Sequence, residues 1–242
     1  MNKKEKDNLK NLLQIKNMTE DSADLYFYGD IVSSWWGAWD DADQYPSAVR
    51  DFLKEAEGKN LNIYINSGGG AVFAGMAIYN MLKRHQGFKT VYVDGVAASI
   101  ASVIALAGDR TIIPSNAYMM IHKPWAAAVG NAEELRAMAE SLDKVEEGIL
   151  NAYAEHLADE VDIEAIKTMM ANETWMTGDE AARYFTNVEE GAPLEAVAYR
   201  GEMLEKFKNA PQILKETKHE QSLAEHRARL NFLKLKGGMF DE

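Results

Sequence analysis

The chain has 242 residues, 47% of them hydrophobic, enough for one main domain with a sizeable core and an appendage. It contains no cysteine, which excludes disulfides, thiolate metal sites and a cysteine nucleophile together, so any covalent catalysis has to come from another side chain. The net charge of −12 is uneven: residues 1–195 carry 17 Lys and Arg against 31 Asp and Glu, while residues 196–242 carry 9 against 7. The body is expected to repel nucleic acid, and only the tail has a charge that permits a polyanionic partner.

The first 22 residues, MNKKEKDNLKNLLQIKNMTEDS, hold lysines but no apolar run of secretory length, and no later segment keeps 18 apolar residues free of charge. The expectation is a soluble, cytoplasmic chain without a membrane span, opening with a polar arm. Four β-rich runs follow in order: LYFY at 25–28, NIYI at 62–65, TVYV at 90–93 and YMMI at 118–121. Their alternation with helical segments predicts βαβ crossovers and a largely parallel sheet, an α/β fold. Between the second and third runs, Val72, Met76, Tyr79 and Leu82 recur at helical spacing over Ala71 to Arg84, which makes a crossover helix with one buried face.

Asn131 opens a longer helix, with Glu134 placed to complete a capping box. Its apolar stripe of Leu135, Met138, Leu142, Val145, Ile149 and Ala152 suits either the core of its own domain or a contact between subunits. From Gly191 onward the sequence reads as a charged helical appendage with Leu204, Phe207, Ile213 and Leu214 sparsely spaced, ending LNFLKLKGGMFDE.

Four segments carry chemistry. NSGGGAV, Asn66 to Val72, puts three glycines between a strand and a helix, which fits a phosphate cradle, an oxyanion hole or a tight turn. A Walker loop is not the expectation, since no Gly-Lys-Ser/Thr follows. DGVAASIASVIALAGDR, Asp94 to Arg110, sets Ser99 among small residues at a strand-to-helix turn, where a hydroxyl can face a cleft, and Ser102 competes for the same role. YMMIHKPW, Tyr118 to Trp125, leaves His122 at the carboxyl end of an apolar strand, the edge where ligands of α/β sheets gather. The remaining histidines, His85, His156, His219 and His226, read as polar or helical surface. In ANETWMTGDEAARYF, Ala171 to Phe185, Thr177 can cap a helix and Asp179 and Glu180 can complement its dipole, which leaves Asn172 and Glu173 without a capping role.

Taken together, NIYINSGGGAVFAGMAIYN, GVAASIAS, MMIHKPW and ETWMTGDEAARYF resemble, in order and spacing, the strand with its glycine loop, the nucleophile turn, the histidine strand and the acid-bearing segment of the Clp protease proteolytic subunit. The resemblance covers about residues 24–190. It implies a ClpP/crotonase-like superhelix of βαβ units with a projecting helix, flanked by an arm at 1–23 and a helical extension at 191–242. It also implies a serine endopeptidase with Ser99 as nucleophile, His122 as base, Glu173 as the acid, and the amides of Gly70 and Ile100 as the oxyanion pair, with no cofactor and no metal. The working form implied is a homo-oligomeric ring or stacked rings, with Leu135 to His156 as the contact helix.

Two positions and one spacing depart from the family's pattern. Glu173 stands where the family usually has aspartate, Gly68 where it usually has proline, and the stretch from Ser99 to His122 is two residues shorter. These departures, with SSWWGAWDDADQYP and the KLKGG tail, resemble the Clp-type proteases of phage head assembly, whose substrates would be capsid or scaffold proteins. Two alternatives stay open: a chambered protease fed by an AAA+ unfoldase, and a non-proteolytic crotonase-like assembly or acyl-CoA-binding module.

Overall fold

A computed structural model describes residues 18–33, 45–193, 206–211 and 214. In chain order the elements are β1 (Ser22–Tyr28), α1 (Pro46–Glu55), β2 (Asn60–Ser67), α2 (Val72–Arg84), β3 (Lys89–Ala98), α3 (Ile100–Ala105), β4 (Arg110–Pro114), β5 (Tyr118–Ile121), α4 (Ala132–Ala154), α5 (Ile163–Ala171), β6 (Thr174–Met176), α6 (Gly178–Ala182) and β7 (Val188–Gly191). The fold is mixed α/β about a parallel sheet, as the alternation predicts.

Strands β1, β2 and β3 pair in parallel with Leu25, Ile63 and Val91 in one register row and Phe27, Ile65 and Val93 two residues on. Those six side chains are buried in one core cluster with Ala74, Ile78, Tyr79 and Leu82 of α2. The alternate positions Tyr26, Tyr64 and Tyr92 share a row on the opposite face, their rings stacked at 4.7 and 5.2 Å between centroids. Strand β3 then changes neighbour: Thr90–Tyr92 pairs with β4, whereas Val96–Ala98 pairs with β5. Strand β7 pairs in parallel with β4. Strand β6, which follows β5 only after α4 and α5, is antiparallel to it, an addition that the parallel pattern does not foresee.

Helix α4 opens with the expected capping box: Asn131 Oδ1 accepts from the amides of Glu133 and Glu134, and the Glu134 carboxylate accepts from Asn131 N at 2.8 Å. Its 23 residues span about 35 Å at 1.5 Å per residue, yet only the last turns join the core through Ile149, Leu150, Ala152 and Tyr153. Leu135 and Met138 remain 45% and 40% exposed. The apolar stripe therefore divides, its end belonging to the protomer's core and its beginning standing clear of it. Among the described residues no helix is long and apolar enough to cross a membrane.

One histidine differs from expectation. His156 is buried rather than on a surface, because the chain turns inward after α4: the amides of Ala158 and Thr186 bond to Tyr184 O and His156 O, and the His156 ring comes to rest beside the Tyr79 hydroxyl. His85 Nε2 lies 2.7 Å from Lys59 O, while His219 and His226 lie outside the described residues. Of the expected arm at 1–23 the described part includes Ser22 and Ala23, which open β1, and Gly191 closes β7. Leu204, Ile213, most of SSWWGAWDDADQYP and the KLKGG tail also lie outside the described residues.

The division of α4 predicts unequal costs of truncation. Ile149→Ala should lower the free energy of unfolding by about 2–4 kcal/mol, as cavity-forming core changes do, whereas Leu135→Ala should cost less than half as much. Urea unfolding followed by circular dichroism at low protein concentration measures both.

Candidate active site

The registers of three strand pairs bring the sequence motifs to one edge of the sheet. Ser67 is level with Ala97, so Gly69 falls opposite Ser99 two residues on. Ala98 is level with Met120, and the pairing continues as the Ser99 amide donates to Met120 O at 2.9 Å. Ile121 faces Thr174 across the antiparallel pair, which sets His122 and Glu173 opposite each other just beyond it. Ser99, His122, Glu173 and the glycine loop thus meet because β2, β3 and β5 end together where β6 begins.

Ser99 precedes α3 with φ 55° and ψ −129°. Glu173 has φ 50°, and these are the two non-glycine residues with positive φ among the described residues. Such backbone costs about 1–3 kcal/mol and persists where packing over-determines it, most often at functional sites. The strain at Ser99 is held from below by Ser102, whose hydroxyl donates to Ser99 O at 2.5 Å and lies 2.7 Å from the Tyr153 hydroxyl. Ser102 is fully buried. Its hydroxyl is committed inside the protein, whereas that of Ser99 lies 2.7 Å from His122 Nε2.

The glycine loop packs directly on this turn. At Gly69, φ +94°, a Cβ would meet Ala98 O and Ser99 Cβ at 2.7 Å, and at Gly70, φ +144°, it would meet Ile31 O at 2.1 Å. Only glycine satisfies both the conformation and the space. Ile31 takes Gly69 O with its N–H and the Ala71 N–H with its carbonyl, so the N–H of Gly70, between them, points to the other side of the loop. Ile100 N is the first amide of α3, one of those a helix leaves without an internal partner.

His122 is half-buried, and that burial holds its pKa below the usual 6.5, opposed by the negative charge of Glu173. The imidazole is neutral at pH 7 and can take a proton at Nε2. Among the described residues no hydrogen bond joins Glu173 to His122. The Glu173 carboxylate instead accepts from the main-chain amides of Lys208, at 3.1 Å, and Asn209, at 2.6 Å. Phe207, buried with Val96, Ala98 and Met120, sets its ring edge-on to His122 at 5.2 Å between centroids. Sequence reasoning left residues 206–211 in an appendage; the one signal was an isolated Phe207 in a charged stretch. Asp179 and Glu180 do what capping predicts, Asp179 pairing with Arg183 and Glu180 completing a capping box with Thr177. No group of three or more metal-binding side chains occurs among the described residues.

The family model for Clp protease matches residues 47–185, more than half of the chain. The chain belongs to the Clp protease family. Curated relatives include ATP-dependent Clp protease proteolytic subunits of Bacteroides thetaiotaomicron, 32% identical over 130 residues, and of Ligilactobacillus salivarius, 36% identical over 129 residues. A proteolytic subunit 1 from Protochlamydia amoebophila is 33% identical over 131 residues. Each match covers 52% of this chain and, in that order, 58%, 64% and 63% of the relative, so the chain spans a little under two thirds of the length of these Clp protease subunits. The family match takes in Ser99, His122 and Glu173, and ends before the segment that holds the Glu173 carboxylate.

The burial of His122 gives a test independent of turnover. In Ser99→Ala protein the His122 ring, followed by NMR, should titrate below 6.5, and Glu173→Gln should lower its midpoint further, because the carboxylate is the charge that raises it.

Proposed function

We propose that this chain is a serine endopeptidase working by acyl-enzyme chemistry, with Ser99 as nucleophile. The observation that carries the reading is the 2.7 Å contact between Ser99 Oγ and His122 Nε2 at a strained strand-to-helix turn. His122, kept neutral by burial, takes the hydroxyl proton as Ser99 Oγ bonds to the scissile carbonyl carbon. The amides of Gly70 and Ile100 receive the developing oxyanion, an interaction whose loss typically costs about 3 kcal/mol. As the peptide C–N bond breaks, His122 returns the proton to the leaving amine, and water then hydrolyses the ester by the same route. Glu173 acts through His122, its charge favouring the imidazolium that forms. Reading the chain as a non-proteolytic crotonase-like or acyl-CoA-binding module leaves the Ser99–His122 contact and the strain at Ser99 without a purpose.

A fluorophosphonate probe should label Ser99, located by mass spectrometry, with no labelling in Ser99→Ala. An adduct on Ser102, or one that persists in Ser99→Ala, overturns the assignment. Glu173→Gln should keep the fold and lower turnover on the order of 10³-fold, while Asp179→Asn, which alters only a surface ion pair, should leave it near wild type.

The working form proposed is a closed ring, or stacked rings, of identical subunits that shelters the sites. Its support is the outer half of α4, whose exposed Leu135 and Met138 accompany exposed Trp125 and Val129 on the preceding loop. Within the oligomer the proposed substrates are capsid or scaffold proteins of a phage head, the reading that the tail and the tryptophan-rich segment suggest; portal and capsid genes beside this one would bear it out. That the relatives are ATP-dependent Clp protease subunits favours the second reading, a chamber fed by an AAA+ unfoldase. Cleavage of unfolded and folded proteins by the purified chain, with and without such an ATPase, separates the two.

Closed assemblies have discrete symmetry, so sedimentation should give one high-mass species. Leu135→Glu with Met138→Glu, both on the exposed outer half of α4, should break it into smaller species that stay folded by circular dichroism and lose most peptidase activity, because unpaired carboxylates are costly to bury. A wild-type monomer with full activity would end the compartment proposal.

A further inference from the structure

We propose that residues 206–211 are a positioning clamp for Glu173: two successive main-chain N–H groups, of Lys208 and Asn209, grip the two carboxylate oxygens and present the acid to His122 in one orientation. The inference rests on the peptidase reading of the site and adds to it a part that lies outside the matched family region.

The grip is specific at the level of atoms. Lys208 N donates to Oε2 at 3.1 Å and Asn209 N to Oε1 at 2.6 Å, so each oxygen accepts one amide and keeps lone-pair capacity for a further donor such as the His122 ring. Successive amides turned on one anion form a concave binding site of the kind that recognises carboxylates and phosphates. The Asn209 side chain adds a second tie, donating from Nδ2 to Asn172 O at 2.9 Å, and so fastens the segment to the residue preceding Glu173. These bonds bracket one of the two strained non-glycine residues among the described residues.

The segment is anchored as well as bonded. Phe207 is 2% exposed and packs with Val96, Ala98 and Met120, its ring also edge-on to Trp175 at 6.0 Å. Ala98 immediately precedes Ser99, and Met120 O accepts the Ser99 amide, so the anchor of the clamp and the nucleophile turn share one apolar bed. The extra methylene of glutamate, where the family usually has aspartate, adds both reach and rotational freedom. The amides of 208 and 209 use that reach and remove that freedom. The same bonds could instead withhold the acid from the imidazole, in which case weakening them would raise turnover; the sign of the effect decides.

The test uses the full-length chain. Lys208→Pro deletes one N–H and Asn209→Asp sets a like charge beside the carboxylate; each is made alone and combined with Glu173→Gln. On a fluorogenic peptide each single change should lower kcat about ten-fold with KM nearly unchanged, the size expected within one hydrogen-bond network, and the loss should vanish in the Glu173→Gln background. For Asn209→Asp, added salt should restore part of the rate by screening the repulsion. A rise in kcat, or an equal loss in both backgrounds, overturns the clamp. A readout without turnover accompanies it: in Glu173→Ala, hydrogen exchange at the amides of 208 and 209 should speed up while that of β3 stays fixed, and unchanged exchange also overturns it. Failure of wild type to take a fluorophosphonate at Ser99 would instead remove the peptidase reading, leaving the exchange result to stand on its own.

Discussion

Strand β3 bonds to two different strands along one edge, and the positions of the reactive groups follow from that switch. Its first half is level with β4 and its second half with β5, so the end of β3 is delivered to the end of β5 instead of running past it. The hydrogen bond from Ser99 N to Met120 O is the last rung of that second pairing. Two residues beyond Met120 stands His122, within hydrogen-bond reach of the serine. Strand β6 then folds back antiparallel on β5 and brings Glu173 to the same place.

The four longer apolar runs and the helices at 72–84 and 132–154 were legible because their periodicities are strong, whereas the short strands β4, β6 and β7 and helices α1 and α5 were not. Val72 to Arg84 alternates buried and open positions at helical spacing, and Asn131 with Glu134 spells its cap. The turn at Ser99 and the strand that ends at His122 were legible through small residues and an apolar run, and their juxtaposition follows from register. Ser102 was a competitor in the sequence because both serines sit among alanines. What separates them is long-range: Tyr153, 51 residues on, engages the Ser102 hydroxyl inside the core, and no local pattern carries that.

The partners of Glu173 were illegible for a related reason. Main-chain amides have no side-chain signature, and those of Lys208 and Asn209 come from a charged stretch that reads as solvated surface. His156 was misjudged in the same manner, since a polar residue at the end of a helix looks exposed until the chain after it turns inward. In each case a contact between segments far apart in sequence outweighed local composition, and local pattern was a good guide only where packing agreed with it.

The conformation at Ser99 has a thermal consequence. A residue at φ 55° stores conformational free energy of about 1–3 kcal/mol that neighbouring groups must supply continuously: Ser102 beneath, Gly69 alongside and Met120 O in front. On heating, the hydroxyl keeps its direction for as long as those restraints hold, and since Ser102 and Met120 are fully buried, that is as long as the packing around the turn does.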